Sequence, residues 1–121
     1  MPRVLIVDDD QLIREMLQQI LEREGYETST AVNGNDAILK FIEYKPHLVV
    51  TDIIMPEKEG LEIIQVFLRK DPFIKIIAIS GGAYYNDTRD VLKMAKVLGA
   101  HATLSKPITK SEFVNEVKKL V

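Results

Sequence analysis

The chain contains no cysteine, and this absence excludes several functions at once. Without thiols it has no disulfide framework, no cysteine-based zinc cluster and no thiol nucleophile. It also has no apolar run long enough to cross a bilayer, so we expect no insertion into a membrane. No segment concentrates Lys and Arg, and the net charge is -2, so we expect no direct binding to nucleic acid.

The amino terminus lacks the layout of a secretory signal. Met1-Pro2-Arg3 leads directly into an apolar run that ends in acidic residues. A length of 121 residues is that of one domain, and a hydrophobic fraction of 46% with 28% charged residues is ordinary for a globular protein. We therefore expect a single domain over residues 1–121, located in the cytoplasm.

Four short apolar runs are present, and each ends at a polar residue suited to chemistry. The runs 4–7, 48–51, 76–79 and 102–105 are followed by Asp8-Asp9, Asp52, Ser80 and Lys106 respectively. Runs of branched residues that are apolar at almost every position are typical of parallel strands buried on both faces. A weaker and partly polar run, residues 26–31, predicts one further strand.

Apolar residues with helical spacing separate these runs and follow the last one, which predicts five helices. Gly25 is a plausible end for the first helix, Asn33 caps the second, and Pro46 prevents its continuation. Thr109-Lys110-Ser111-Glu112 is a capping box for the fifth. Strands alternating with helices predict an α/β fold: a doubly wound, flavodoxin-like sheet of five parallel strands in the order 2-1-3-4-5, with five helices.

In a sheet of this order, strands one and three end side by side. We therefore expect the carboxylates of Asp8, Asp9 and Asp52 to converge there. Because three close carboxylates repel one another, a cation is required, and Mg²⁺ is the natural candidate since it prefers oxygen ligands. One Asp at one strand end is equally well explained as a loop cap, but the coincidence at several strands favours a site.

A carboxylate beside a divalent cation and a lysine can attack phosphorus to form an aspartyl phosphate. Asp52 is the better nucleophile because it stands alone, which leaves Asp8 and Asp9 for the metal. Ser80 and Lys106 are predicted to contact the transferred phosphoryl oxygens. Ser80 precedes Gly81-Gly82 and is also explained as a turn residue, and the Lys106-Pro107 bond can be cis or trans.

In order and spacing these residues resemble the receiver domain of response regulators, from Arg3 to Leu120. The matching positions are Asp8, Asp9, Asp52, Met55, Pro56, Gly60, Ser80, Lys106 and Pro107. The resemblance implies that Asp52 accepts a phosphoryl group from a histidine kinase or phosphotransfer protein. It also implies that Asp9, Asp52 and the backbone carbonyl of Ile54 bind Mg²⁺, while Asp8 acts mainly through metal-bound water.

By the same resemblance, phosphorylation changes the surface of helix four, strand five and helix five to control a partner protein or a fused output domain. Such a domain is not an enzyme beyond catalysing its own Mg²⁺-dependent phosphorylation and dephosphorylation, and it is a monomer or a phosphorylation-dependent dimer. Thr103 departs from the family, which usually has an aromatic residue there. We therefore predict that the conformational change concentrates in residues 81–90 and the start of helix four, with Tyr84 or Tyr85 as a candidate for the moving ring.

Two other functions compete with this interpretation. A phosphatase of the haloacid dehalogenase type also uses an Asp nucleophile after a strand, but it requires Asp-x-Asp, whereas this chain has Asp52-Ile53-Ile54. A pseudo-receiver would bind partners without being phosphorylated. The presence of every acidic and basic site residue argues against the second alternative.

Overall fold

The computed structural model describes residues 2–53, 60–81 and 88–121 and contains a five-stranded parallel sheet. The strands are β1 (Arg3–Val7), β2 (Glu27–Ala31), β3 (Leu48–Asp52), β4 (Lys75–Gly81) and β5 (Ala102–Lys106). The helices are α1 (Gln11–Arg23), α2 (Gly34–Tyr44), α3 (Gly60–Lys70), α4 (Thr88–Leu98) and α5 (Lys110–Leu120). The strand order is β2-β1-β3-β4-β5, which confirms the predicted fold.

Each face of the sheet has its own hydrophobic core, because successive strand residues point to opposite faces. One core lies under α1 and α5, whose buried residues are Leu17, Leu21, Phe113 and Val117. The other lies under α2, α3 and α4, where the rings of Phe41 and Phe67 stack with centroids 4.6 Å apart. Burial on both faces explains why the central strands are apolar at almost every position.

The helix ends follow the local signals in the sequence. Asn33 Oδ1 accepts a hydrogen bond from the Asp36 N–H at 2.8 Å, and Thr109 Oγ1 accepts one from the Glu112 N–H at 3.2 Å. Gly25 has φ +92° where the chain leaves α1, a conformation that favours glycine. These caps fix where the connections to the strands begin.

Several strand boundaries differ from the prediction by one or two residues, and two of these differences have a clear structural cause. The second strand was expected to begin at Tyr26, but the Tyr26 N–H donates to the Leu21 carbonyl at 3.0 Å, so this residue belongs to the turn that follows α1. The fourth strand was expected to end at Ile79, but pairing with β5 continues to Gly81. Ser80 therefore lies within β4 and not in a turn after it.

The predicted loops that contain Met55-Pro56 and Tyr84-Tyr85 fall outside the described residues. Within the part of the chain that is described, no helix is both long and apolar enough to span a bilayer.

Candidate functional site

Strand alternation places Asp8, Asp52 and Lys106 on the same face of the sheet. Each lies two residues beyond a member of the core under α1 and α5, and those members are Ile6, Val50 and Leu104. β1 pairs with β3 in parallel, with Val7 opposite Thr51. Because parallel strands end at the same edge, the three side chains leave the sheet at one edge and on one face.

The three acids form a compact cluster at this edge. Asp8, Asp9 and Asp52 each offer one carboxylate oxygen, and these oxygens lie within 4.8 Å of one another. Asp8 and Asp52 are buried, with relative exposures of 1% and 4%, whereas Asp9 is exposed. The cluster therefore combines two fixed carboxylates with one that opens to solvent.

Lys106 connects the two buried acids. Its Nζ donates a hydrogen bond to Asp52 Oδ2 at 2.9 Å and lies 3.0 Å from Asp8 Oδ2. Burial alone would lower the pKa of Lys106, but the hydrogen bonds and charges of Asp52 and Asp8 outweigh it, so the pKa is raised and the ammonium stays charged. The Lys106-Pro107 peptide bond is cis.

The charge of this cluster is not balanced. Desolvation by burial and the neighbouring charge of Asp52 raise the pKa of Asp8 from 3.8 to about 6, although the Asp10 N–H and Lys106 oppose the shift. When the three acids are ionised, three negative charges face one ammonium, which leaves two negative charges. Asp8 Oδ2 is also buried, and the Lys106 ammonium 3.0 Å away is its charged neighbour.

These features fit a divalent cation. The ligand oxygens of Mg²⁺ lie about 2.1 Å from the ion, so opposite ligands are about 4 Å apart, close to the spacing of this cluster. A dication would neutralise the two excess charges, and the exposed side of Asp9 leaves space for water ligands. The predicted fourth ligand, the carbonyl of Ile54, lies outside the described residues.

Ser80 is at the same edge of the sheet, one residue after Ile79, which pairs with Asp52. Because successive strand residues point to opposite faces, Ser80 and Asp52 lie on opposite faces of the sheet. The Ser80 side chain is fully buried, and its Oγ has no hydrogen-bond partner within residues 2–53, 60–81 and 88–121. The structure therefore brings Asp8, Asp9, Asp52 and Lys106 together but does not join Ser80 to them by a hydrogen bond.

Two residues near the site were missed by the sequence analysis. Asp10 caps α1, since its Oδ1 accepts from the Leu12 N–H at 2.9 Å, while its own N–H donates to Asp8 Oδ1 at 2.9 Å. An Asp directly before a helical apolar pattern is a recognised cap signal and could have been found. Arg14 Nη1 donates to the Asp8 carbonyl at 2.8 Å, and no sequence pattern indicates that contact.

Comparisons with known proteins agree with this geometry. The sequence model of the response regulator receiver domain matches residues 4–118. The chain is 37% identical over 119 residues to the chemotaxis protein CheY of Thermotoga maritima, covering 98% of this chain and 96% of that one. It is 33% identical over 117 residues to sporulation initiation phosphotransferase F of Bacillus subtilis, with coverage of 97% and 91%.

The fold also matches a solved complex. The response regulator protein TrrA from Thermotoga maritima, crystallised with Mg²⁺ and beryllofluoride, superposes with a TM-score of 0.85 at 37% identity, and the match covers 100% of both chains. The chain therefore belongs to the response regulator receiver family, whose members act in two-component and chemotaxis signalling. This assignment leaves no support for a phosphatase of the haloacid dehalogenase type.

Replacing the buried Asp8 carboxylate with a neutral amide should stabilise the metal-free protein. The pKa of Asp8 is about 6 in the folded state and 3.8 in the unfolded chain, so the folded state favours the protonated carboxyl. The resulting stabilisation is complete below pH 3.8 and is lost as the pH rises through 6. Asp8→Asn keeps the Oδ1 acceptor for Asp10 and should raise the free energy of unfolding at pH 7.5 by about 1–3 kcal/mol. Urea denaturation in EDTA measures this gain.

The gain should shrink when the same urea measurement is made at pH 4.5. Glu43→Gln is the matched control, because it removes one exposed carboxylate from α2, and it should change stability little at either pH. An Asp8→Asn protein that is less stable than the wild type at pH 7.5 would contradict the assigned burial penalty.

Proposed function

We propose that residues 1–121 form a single receiver domain in which Asp52 accepts a phosphoryl group from a histidine kinase or a phosphotransfer protein, with Mg²⁺ as cofactor. The observation that carries the proposal is the buried Asp52 carboxylate, 2.9 Å from the Lys106 ammonium and within 4.8 Å of Asp8 and Asp9. The name of the related phosphotransferase of B. subtilis and the Mg²⁺–beryllofluoride complex of TrrA support the same chemistry.

The reaction follows from these positions. An Asp52 carboxylate oxygen attacks the phosphorus of the donor, the bond from phosphorus to the donor breaks, and an acyl phosphate forms on Asp52. Lys106 is placed to pair with the phosphoryl oxygens as charge develops on them. Asp8, Asp9 and Asp52 would hold Mg²⁺, which supplies positive charge to the same oxygens. Attack by water on the phosphorus then breaks its bond to Asp52, which releases inorganic phosphate and restores the free carboxylate. The domain thus catalyses only its own phosphorylation and dephosphorylation.

Exposure to acetyl phosphate with and without Mg²⁺ tests the proposed function. We expect the intact mass to rise by one phosphoryl group only when Mg²⁺ is present. A pseudo-receiver would show no gain in mass under either condition, and a phosphatase would release phosphate continuously without holding a stable adduct.

Asp9 should be essential for binding Mg²⁺. Its carboxylate is exposed beside two buried acids. Because Mg²⁺ keeps several water ligands, few protein ligands hold it, and the ligands left after the loss of Asp9 would bind the ion only weakly. We expect Asp9→Ala to remove the saturable amide shifts that Mg²⁺ produces in an NMR titration of the wild type.

Asp10→Asn is the matched control for Asp9→Ala. It removes the same negative charge from the next residue along the chain. The helix cap is kept, because Asn caps a helix as well as Asp does. This variant should retain binding. If Asp9→Ala bound Mg²⁺ as tightly as the wild type, the metal would have to be held by other ligands.

We further propose that phosphorylation is transmitted to the surface of α4, β5 and α5, where a partner protein or an output domain would bind. Thr103 is half-buried on β5, opposite Ala78 of β4, and it is too small to replace an aromatic ring. We therefore predict that a beryllofluoride phosphoryl mimic shifts the amide signals of residues 81–90 most strongly. Shifts centred on Thr103 and α5, with residues 81–90 unchanged, would contradict this prediction.

A further inference from the structure

The turn between β1 and α1, residues 8–10, carries two of the three clustered acids and is held by backbone and side-chain hydrogen bonds. The Asp8 N–H donates to the Ala31 carbonyl at 3.2 Å, and Asp8 Oδ1 accepts from the Asp10 N–H at 2.9 Å. The Asp10 carbonyl accepts from the Arg14 N–H at 3.0 Å. Asp9 makes no hydrogen bond of its own within the described residues, so its orientation depends on its neighbours.

The Asp8 carbonyl is the group that connects this turn to Arg14. Arg14 Nη1 donates to it at 2.8 Å, a length typical of a charge-assisted hydrogen bond. The peptide unit between Asp8 and Asp9 is planar, so a donor that fixes the Asp8 carbonyl also fixes the nitrogen and Cα of Asp9. Arg14 therefore restrains the backbone from which the exposed Asp9 carboxylate extends.

Within the part of the chain that is described, Arg14 forms no ion pair with an acid. Its side chain is half-buried, and no carboxylate of residues 2–53, 60–81 and 88–121 lies within ion-pair distance of its guanidinium. A cation close to an acidic cluster would ordinarily pair with one of its carboxylates. Here it binds a neutral carbonyl and leaves the carboxylate oxygens accessible to another cation.

We propose that Arg14 is a positioning residue for the divalent cation, since it holds the Asp8–Asp9 peptide so that both carboxylates are preformed for binding. This inference rests on the proposed function, because it requires that Asp8 and Asp9 bind Mg²⁺. Partners that orient metal ligands commonly change metal affinity about 10-fold to 100-fold when they are removed.

The positive charge of Arg14 and its positioning role have opposite effects on the affinity for Mg²⁺, so a measurement of affinity distinguishes them. If Arg14 acted only as a nearby positive charge, its removal would strengthen the binding of Mg²⁺, because repulsion between like charges would be relieved. If Arg14 acts by positioning, its removal weakens binding, since the metal must then order the turn itself.

The experiment compares Arg14→Met with Arg23→Met, which removes the same charge from the last turn of the same helix. The dissociation constant for Mg²⁺ is measured by NMR titration. We expect it to rise about 10-fold in Arg14→Met and to stay unchanged in Arg23→Met. Arg14→Lys keeps the charge and can still reach a carbonyl, so its constant should fall between those of the wild type and Arg14→Met. An unchanged or lower constant in Arg14→Met overturns the inference.

Hydrogen exchange of the Asp10 amide in the metal-free protein provides a second measurement that does not depend on Mg²⁺. This amide donates to Asp8 Oδ1, so a loosened turn should exchange it faster in Arg14→Met but not in Arg23→Met. Equal exchange in all three proteins would also overturn the inference. If Arg14→Met does not fold, Arg14→Gln takes its place in both measurements. A wild type that does not bind Mg²⁺ would refute the proposed metal role, while exchange would still report whether Arg14 orders the turn.

Discussion

Asp52→Asn should abolish phosphorylation by acetyl phosphate. The amide lacks the carboxylate oxygen that attacks phosphorus, and the other acids are poorly placed to replace it: Asp8 is buried against Lys106, and Asp9 faces solvent. Intact mass measured over a time course with Mg²⁺ should show one added phosphoryl group on the wild type and none on the variant. We expect the loss to be complete and not merely a slower rate.

Asp71→Asn is the control for this experiment. Asp71 precedes β4 at the opposite edge of the sheet, and its side chain accepts a hydrogen bond from the Phe73 N–H that Asn can also accept. Asp71→Asn should be phosphorylated like the wild type. Equal labelling of Asp52→Asn and Asp71→Asn would mean that another residue is the phosphoacceptor.

Lys106→Met should lower the rate of phosphorylation about 100-fold or more, because removal of one group that stabilises developing charge typically costs this much. Methionine keeps an unbranched side chain but removes the ammonium that lies 2.9 Å from Asp52 Oδ2 and 3.0 Å from Asp8 Oδ2. Both effects act in the same direction: the phosphoryl oxygens lose a positive charge, and the two buried carboxylates repel each other more strongly. Quenched time points analysed by intact mass give the rate.

Lys118→Met tests whether the loss is specific to the site. Lys118 is exposed on α5 and pairs with Glu24, which follows α1, so its removal deletes an ammonium of the same chemistry away from Asp8, Asp9 and Asp52. Its phosphorylation rate should match that of the wild type. A Lys106→Met protein within twofold of that rate, about 0.4 kcal/mol in barrier height, would remove Lys106 from the reaction.

The grouping of the acids could be predicted because it depends on strand order alone. Once the alternation of strands and helices implied a doubly wound sheet, Asp8 and Asp52 had to end neighbouring strands. Lys106 could be placed at the same edge, and the period of two along each strand explains why it shares a face with both acids. The chemical roles of Asp52, Lys106 and the metal ligands remain predictions that the experiments above address.

The finer contacts could not be read from the sequence. The fourth strand extends past Ser80 because β5 provides backbone partners as far as Lys106, which is a tertiary effect. The bond from Arg14 to the Asp8 carbonyl depends on how α1 packs against the end of β1, and a single arginine on a helix gives no sign of it. Lys106 contacts Asp8 as well as Asp52, an arrangement that requires the positions of three strands to be known together.

The most direct test of the central claim is to locate the phosphoryl group on the chain. Borohydride reduces an aspartyl phosphate to homoserine, so wild-type protein treated with acetyl phosphate and Mg²⁺ can be reduced, digested and sequenced by tandem mass spectrometry. We expect homoserine at position 52, and its absence when EDTA replaces Mg²⁺. Homoserine at position 8 or 9, or equal conversion at position 52 without a divalent cation, would contradict the proposal that Asp52 is a metal-assisted phosphoacceptor.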